Sequence, residues 1–371
     1  MANLGALPDA PVKEICNHAG VQEILTLRKV SVKLRTQVDK WNPDLKIDHL
    51  FIILKISSIE MKMISGEKQW IFLYDTDLDG CYVINEGRKN FVKDEHYMKV
   101  FLKDLEIMFR NRKSVLQTLS LKIEDPEKKI RQKKVSTELY DIPHALFRRP
   151  RPDSFLKLNP QLVANYYKFL AALKNILKSD PRMFQVDTLH LHVLDHRQIM
   201  QVLPHVNPEK IKSLEIYNPE GHNNQLLRMN EVLELKQFKN LQRIIVKDFY
   251  LRDALQNYSH LLKANFCVQT VTAEDIVLLK NAFAKDPNFD MFFMEYKKFE
   301  GKKRLERLFN GFELDQFSVD TCIYKIPTQH YREKEFVIVI TFVTNLEIRF
   351  KRLSLAKLRE VVKEDDIYWI N

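Results

Sequence analysis

The sequence predicts a mixed α+β or α/β chain. It has a small helical segment at its N-terminus, then a solenoid of strand-and-helix repeats with flanking antiparallel strands. Three observations predict this fold class. Apolar residues recur every three or four positions in the first part of the chain, as in amphipathic helices. A short apolar pattern returns at intervals of 25 to 30 residues further on. Stretches of alternating apolar and polar residues precede and follow these repeats.

Two short helices are predicted near the N-terminus. Pro8 and Pro11 suit the start of a helix, where a missing N–H group is harmless, so the first helix is expected over residues 11–18 with Gly20 as its stop. The second helix has one apolar face. That face consists of Ile24, Leu27, Val30, Leu34 and Val38. Two helices of this size cannot bury so much apolar surface on each other, so they need a partner within the chain or outside it.

The same segment follows a known pattern. The run L-P-x-x-P-V-x-x-I begins at Leu7, and L-x-L-R-K-V-S-x-x-L-R-x-x-V-D ends at Asp39. Together they closely resemble the F-box of the expanded nematode F-box family, although many F-boxes have a tryptophan near the position of Leu34. The resemblance implies binding to the Skp adaptor of a cullin-based ubiquitin ligase. The residues it implies for this contact are Leu7, Pro8, Pro11, Ile15, Ile24, Leu25, Leu27, Val30, Leu34 and Val38. The alternative is a helical hairpin docked on the chain's own core.

The pattern apolar-x-x-apolar-x-apolar occurs four times in the middle of the chain. Its central residues Leu189, Leu214, Ile244 and Val271 are 25, 30 and 27 positions apart, in the range of leucine-rich-type solenoids. Because the spacing is uneven and the usual asparagine is missing, we interpret the region as leucine-rich-like. Each repeat is expected to be a strand followed by a crossover helix. The helical stretches are expected at residues 199–206, 230–238, 251–262 and 274–283, and an earlier copy of the pattern at 116–121 follows a predicted helix at 97–109.

This region resembles the FTH domain, which follows the F-box in many of those nematode proteins. The resemblance is best over residues 155–290, where a helix rich in leucine and lysine precedes the repeats. The apolar residues of that helix are Leu162, Tyr166, Phe169, Leu170, Leu173 and Leu177.

Antiparallel strands are predicted on both sides of the repeats. On the N-terminal side, residues 47–60 alternate, a turn follows at 65–67, and residues 69–74 return. On the C-terminal side a small meander is expected, followed by a short helix. The meander's strands are residues 322–326, 336–342 and 346–351, and the helix is residues 355–362.

These features divide the chain into four segments. The predicted segments are an F-box at 1–43, a strand-rich segment at 44–130, FTH-type leucine-rich-like repeats at 131–290, and C-terminal antiparallel strands with a short helix at 291–371.

Composition excludes several classes of protein. A chain of 371 residues with 45% hydrophobic and 29% charged residues has the make-up of a globular protein. Its apolar runs are too short to span a membrane, and its start does not resemble a secretory leader. The four cysteines are widely spaced without a C-x-x-C pair, which argues against a disulfide scaffold or zinc ribbon and favours the cytoplasm or nucleus. No phosphate-binding glycine motif or nucleophile elbow occurs, so we expect neither a cofactor nor an enzyme.

One histidine cluster is a candidate metal site. His190, His192, Asp195 and His196 resemble the H-x-H-x-D-H motif of some hydrolases, but one residue too many separates His192 from Asp195. We therefore expect no metal there. Because inward leucines alternate with them, both His190 and His192 are expected on the open face of their strand.

The same alternation predicts a substrate-binding surface on the outward positions of the repeat strands. Tyr217 is the type of aromatic residue that anchors interfaces, and the outward Ile245 has no reason to be apolar for the core. The alternative for each residue is an ordinary exposed sheet position. The predicted surface consists of His190, His192, Glu215, Tyr217, Ile245 and Lys247.

The sequence is therefore interpreted as that of a non-catalytic adaptor. The F-box would bind the Skp adaptor and through it a cullin, and the repeats would hold an unidentified protein substrate. Because the net charge is +10, a basic nucleic-acid-binding protein is the alternative, and a hydrolase at the histidine cluster ranks third. Neither a membrane nor nucleic acid is an expected partner.

Overall fold

The computed structural model describes residues 8–20, 23–24, 27, 32–41, 43–110, 114–126, 157–179, 182–221, 225–301, 304–305, 321–325, 336–343, 346–354 and 357. The chain forms two compact units, Met1–Ile211 (unit 1) and Lys212–Asn371 (unit 2). Each unit contains helices and a sheet, so the predicted mixed α/β class is confirmed. No helix among these described residues is long and apolar enough to cross a membrane.

Unit 1 begins with two short helices that pack against each other, α1 (Asp9–His18) and α2 (Val32–Trp41). The first begins two residues before the predicted start, because the extended Pro8 precedes the first turn and Asp9 lies within it. Gln37 Nε2 donates to Asp9 Oδ1 over 2.7 Å, and Lys40 Nζ lies 3.3 Å from Asp9 Oδ2. The carboxylate of Asp9 thus joins the two helices and also lies where a helix N-terminus favours negative charge.

The sheet of unit 1 has antiparallel strands on one side and parallel strands on the other. Strands β1 to β5 pair antiparallel in chain order, β6 pairs parallel with β1, and β7 pairs parallel with β6. Their bounds are β1 (His49–Leu54), β2 (Ser58–Ser65), β3 (Lys68–Asp77), β4 (Gly80–Asn85), β5 (Arg88–Lys93), β6 (Leu116–Ile123) and β7 (Val186–His192).

The predicted strand at 47–60 is in fact two strands. A turn separates β1 from β2, and the backbone N–H of Lys55 donates to the carbonyl of Ser58 over 2.9 Å to close it. Apolar residues alternate on both sides of this turn but change phase across it, from Leu54 and Ile56 to Ile59 and Met61, and the sequence analysis did not use that shift.

One face of this sheet is covered by two helices, α3 (Tyr97–Arg110) and α4 (Pro160–Ser179). The ring of Tyr74 meets Phe101 of α3 edge to face at 5.2 Å, and its hydroxyl donates to Asp104 Oδ2 over 2.9 Å. All six apolar residues predicted for the leucine-rich helix are buried in α4. The helix α5 (His196–Val202) follows β7 and begins after Asp195, whose side chain accepts the backbone N–H of Arg197.

The sheet of unit 2 is parallel at its centre. Strands β8, β10, β11 and β12 pair parallel in that order, and the short β9 also pairs with β10. Strands β15, β14 and β13 then continue from β12 in antiparallel pairs. The bounds are β8 (Ser213–Tyr217), β9 (Leu226–Leu227), β10 (Arg243–Leu251), β11 (Lys263–Thr272), β12 (Met291–Glu300), β13 (Thr321–Lys325), β14 (Phe336–Val343) and β15 (Glu347–Ser354).

The predicted C-terminal meander is thus present, and it extends the sheet of unit 2 through β12. The short helix predicted at 355–362 lies outside the described residues except for residue 357.

The connections in unit 2 match the predicted crossovers in part. Between β8 and β10 lie β9 and two short helices, α6 (Asn230–Leu233) and α7 (Lys236–Lys239), and α8 (Ala273–Lys285) follows β11. The helix expected at 251–262 is reduced to a 3₁₀ turn, Leu255–Tyr258, because β10 itself runs to Leu251.

The repeat pattern predicts register correctly within β8 and β10, and it fails at β11. Leu214 lies opposite Ile244, as expected. Ile244 then lies opposite Ala264, whereas Val271 lies near the end of β11 and pairs with Phe299. The sequence analysis therefore placed the fourth copy of the apolar pattern seven residues too far towards the C-terminus. Small Ala264 gives a weak apolar signal, while Val271 fits the pattern by chance.

The buried face of the unit 2 sheet packs against α8 through a ring cluster. Phe283 of α8 lies 5.1 Å from Phe292 and 5.4 Å from Phe350, measured between ring centroids. A capping box fixes the start of α8, since Thr272 Oγ1 accepts the backbone N–H of Asp275 and the carboxylate of Asp275 accepts that of Thr272.

Candidate interaction surfaces

The N-terminal helices divide the predicted Skp-binding residues into buried and exposed sets. Ile24, Leu34 and Val38 are fully buried in unit 1. Pro8, Pro11 and Ile15 are exposed, and Leu27 is half-buried. The remaining predicted residues, Leu7, Leu25 and Val30, lie outside the described part of the chain.

The exposed residues form one stripe on α1. Pro8, Pro11 and Ile15 are spaced by three and four positions, so they lie along the same side of the helix. Val12 and Cys16, on the adjoining side of α1, are buried. The position where many F-boxes have tryptophan, Leu34, is completely buried, so its side chain contributes to the packing of the helices and not to their outer surface.

His190 and His192 of β7 lie on the same side of their strand but in different surroundings. His190 is half-buried and pairs in register with Ser120, which is itself inaccessible to solvent. His192 Nδ1 lies 3.3 Å from the carbonyl oxygen of Ile123, and burial lowers the pKa of His192 to about 4. His192 is therefore neutral at neutral pH and tied to the end of β6.

No group of three or more histidine, cysteine, aspartate and glutamate side chains is arranged to hold a metal ion within the described ranges. Asp195 instead caps α5 and binds Arg197 Nη2 at 2.6 Å, and Tyr167 Oη donates to it over 3.0 Å. Asp195, which lies one residue too far from His192 for the H-x-H-x-D-H motif, is thus the N-cap of α5.

In unit 2, the other predicted surface residues lie on the face opposite α8, which we call the open face of unit 2. Ile245 pairs in register with Glu215, and Lys247 pairs with Tyr217. The structure therefore brings these four residues together as two adjacent pairs on β8 and β10. Ile245, Lys247 and Tyr217 are all half-buried.

Glu215 lies on this face but is only 7% exposed. Tyr217 Oη donates to Glu215 Oε2 over 2.7 Å, and Arg243 Nη2 lies 3.2 Å from Glu215 Oε1. Burial and the nearby carboxylate raise the pKa of Tyr217 to about 12. These contacts fix the side chains of Glu215, Tyr217 and Arg243 in one arrangement. The ring of Tyr217 is therefore held in place on the open face.

A row of side chains that the sequence analysis missed continues the open face of unit 2. Asn265 pairs with Ile245 across β11, Phe293 pairs with Asn265 across β12, and Arg349 pairs with Phe293 across β15. Arg349 lies 5.6 Å from the centroid of the Phe293 ring. Lys247 Nζ donates to Asn265 Oδ1 over 3.2 Å. Correct register for β11 would have identified this row from the sequence.

A bulge in β10 shapes the same face. The pairing of β10 with β11 shifts between Ile245 and Tyr250, and Asp248 has a positive φ of 63°. The buried Asn218 holds the bulge, because its side-chain Nδ2 donates to the carbonyl of Asp248 over 3.2 Å. The side chain of Lys247 thus projects from a distorted, stabilised stretch of strand.

Unit 1 has its own open face, which is more apolar. Phe51, Lys62 and Ile71 lie side by side on β1, β2 and β3, and Ile71 is 43% exposed. On β5, Phe91 is 46% exposed and packs beside Tyr82 at 5.1 Å between ring centroids. The sequence analysis assigned no role to these strands.

The structure is that of a mixed α/β protein whose predicted contact residues lie on a helix surface and on an open sheet face. A family model for the FTH domain matches residues 167–312. The chain is also 22% identical to F-box A protein 224 of Caenorhabditis elegans over 313 residues, which are 83% of this chain and 70% of that protein. The predicted resemblance to nematode F-box proteins with an FTH domain is therefore confirmed.

Proposed function

We propose that this chain is a substrate-recognition adaptor of a Skp–cullin–F-box type ubiquitin ligase. The observation that carries the proposal is its similarity, over most of its length, to a protein named as an F-box protein. The N-terminal helices bind the Skp adaptor, and the FTH region binds a protein substrate. The chain supplies no bond-making group. It acts by holding the substrate near the ubiquitin carrier, where the effective concentration is high.

The stripe on α1 supports the first half of the proposal. Two small helices joined by Asp9 bury Val12 and Leu34 between themselves and their surroundings, and Pro8, Pro11 and Ile15 remain outside. Exposed apolar residues at helical spacing provide the kind of surface that a partner helix covers.

The open face of unit 2 supports the second half. It combines a held aromatic residue, half-buried apolar residues and charges of both signs. Arg243 and Arg349 are balanced by the nearby Glu215 and Glu347, which form ion pairs with them. A nucleic-acid surface needs an excess of positive charge along its path, so this face favours a protein partner over the nucleic-acid alternative.

Co-purification with a Skp adaptor tests the proposal. Ile15→Glu places a charge at the C-terminal end of the α1 stripe without touching the buried residues. An interface anchor is worth about 2 kcal/mol, so we expect about 30-fold weaker binding. Lys13→Glu, on the same helix and also exposed, is the matched control and should bind like the wild type. If the Ile15→Glu variant co-purifies with the adaptor at wild-type yield, the proposed binding mode is wrong.

A further inference from the structure

A cavity of about 620 Å³ lies in unit 2, at the carboxyl ends of two parallel strands. Leu227 at the end of β9 pairs in register with Leu251 at the end of β10. Arg228 and Arg252 each follow by one residue, and both line the cavity. Carboxyl ends of neighbouring parallel strands are a common place for ligand sites, because the loops that leave them converge there.

The two arginine-bearing segments are fastened together directly beside the arginines. The backbone N–H of Met229, next to Arg228, donates to the carboxylate of Asp253, next to Arg252, over 3.2 Å. Met229 is fully buried, so this link lies within the packed part of the unit. The backbone positions from which the two arginine side chains extend are thus fixed before any ligand arrives.

Both arginines are available to a ligand. Within the described part of the chain, neither Arg228 nor Arg252 makes a salt bridge or a side-chain hydrogen bond. Of the acidic groups lining the cavity, Glu234 is paired with Lys239 at 3.1 Å, and Asp253 already accepts the Met229 N–H. The amides of Asn230 and Asn257 also line the cavity and add hydrogen-bond donors.

We propose that this cavity binds a phosphorylated side chain of a partner protein. Two guanidinium groups present planar forks of N–H donors, which match the oxygens of a phosphate dianion in geometry and in charge. A long polyanion fits less well, because Asp253 and Glu234 lie in the same cavity and none of the described residues that line it is an aromatic on which a base could stack. The inference deepens the proposed function, since it names a chemical class of substrate for the FTH region.

Immobilised peptide libraries test the proposal with the full-length chain. Three libraries with the same degenerate flanks carry serine, phosphoserine or glutamate at the centre, and retention is measured at about 150 mM salt. We expect at least tenfold greater retention on the phosphoserine library, because the guanidinium groups form charge-assisted hydrogen bonds with the phosphate and not with a neutral hydroxyl. The double variant R228Q/R252Q should fall to the serine level. The control K210Q/K285Q removes the same charge from two exposed positions elsewhere and should behave like the wild type.

A third variant should change retention on the phosphoserine library in the opposite direction. Asp253→Asn removes a negative charge from the cavity, while its amide oxygen can still accept the Met229 N–H, so retention on phosphoserine should increase. Equal retention on the serine and phosphoserine libraries, or undiminished binding by R228Q/R252Q, would overturn the proposal. So would equal binding to glutamate, or arginine-dependent displacement of the peptides by a single-stranded oligonucleotide.

The same variants are tested for co-purification with the Skp adaptor. For R228Q/R252Q, loss of phosphopeptide retention with intact Skp binding is the expected result. A wild-type chain that binds a Skp adaptor but retains the phosphoserine library no better than the serine library would overturn the cavity proposal and leave the adaptor function standing. A wild-type chain that retains phosphopeptides but never binds a Skp adaptor would do the reverse.

Discussion

Strands β7 and β10 are built on the same apolar pattern, yet their outward side chains meet different surroundings. In β7 of unit 1, the outward His192 is enclosed at the end of the strand and held against a backbone carbonyl. In β10 of unit 2, the outward Ile245 and Lys247 lie in a continuous row that crosses β11 and β12. The inward residues of both strands, such as Leu189 and Ile244, are completely buried.

The apolar pattern determines which residues form the core, whereas the neighbouring strands determine what the outward residues do. His192 ends its strand beside Ile123, the last residue of β6, so its outward position becomes an internal contact. Ile245 has a strand on each side, and its neighbours Glu215 and Asn265 are held by hydrogen bonds. An outward residue therefore belongs to a binding surface only where the residues of the adjoining strands leave its side chain accessible.

The largest expected effect separates inward from outward positions on β10. Ile244→Asp buries an unpaired charge at a site with no solvent exposure, so the free energy of unfolding should fall by about 4 kcal/mol or more. Ile245→Asp, one residue away, should cost within about 1 kcal/mol because its side chain reaches the open face. Urea unfolding of both variants measures the difference. Similar losses for the two would contradict the assignment of faces.

A smaller effect is expected at β7 as the pH falls. The pKa of His192 is about 4 in the folded chain, against an ordinary value of about 6.5 when unfolded. Between these values the unfolded chain binds the extra proton, so stability is retained above pH 6.5 and decreases as the pH falls towards 4. The contribution is on the order of 3 kcal/mol.

His192→Gln keeps a side chain that can donate to the Ile123 carbonyl but does not titrate in this range. Its unfolding free energy should therefore change less between pH 7 and pH 4.5 than that of the wild type. Parallel pH profiles for the two proteins would show that His192 is solvated in the folded state.

Much of the fold was predictable because core positions have a strong periodic signal. The six apolar residues of α4 and the matched pair Leu214 and Ile244 were identified from spacing alone. The break between β1 and β2 was missed because the change of phase in the alternation, from Ile56 to Ile59, was not read as a turn. The register of β11 was missed because its inward residue opposite Ile244 is the small Ala264. As a result, Asn265 and the other residues in the row of Ile245 were missed as well.

The candidate surfaces were less predictable, since they depend on contacts between residues far apart in sequence. Nothing near Glu215 in the sequence indicates that Arg243, on another strand, forms an ion pair with it. The pair Arg228 and Arg252 becomes visible only when β9 is placed beside β10. The assignment of Skp-binding and substrate-binding residues stays a prediction, as do the segment boundaries drawn from the sequence.

The smallest effect on stability, and the most informative one for binding, is expected from the double variant I245A/K247A. It removes an apolar and a basic contact from the open face of unit 2, and it leaves the Tyr217–Glu215 hydrogen bond intact. Stability should therefore change by less than about 1 kcal/mol, whereas capture of substrate should fall clearly. The matched control is I71A/K89A, which removes the same two residue types from exposed positions in unit 1.

Quantitative comparison of the proteins captured by each variant and by the wild type measures the outcome, with Skp binding as the internal reference. Capture that fails with I245A/K247A and survives with I71A/K89A assigns substrate recognition to the open face of unit 2. The reverse result would move it to the apolar face around Phe51 and Ile71, where aromatic and aliphatic side chains lie exposed without the ion pairs that hold Tyr217 and Glu215 in place. Substrate binding would then depend on apolar area alone, and the arrangement of charges on unit 2 would serve the stability of its sheet.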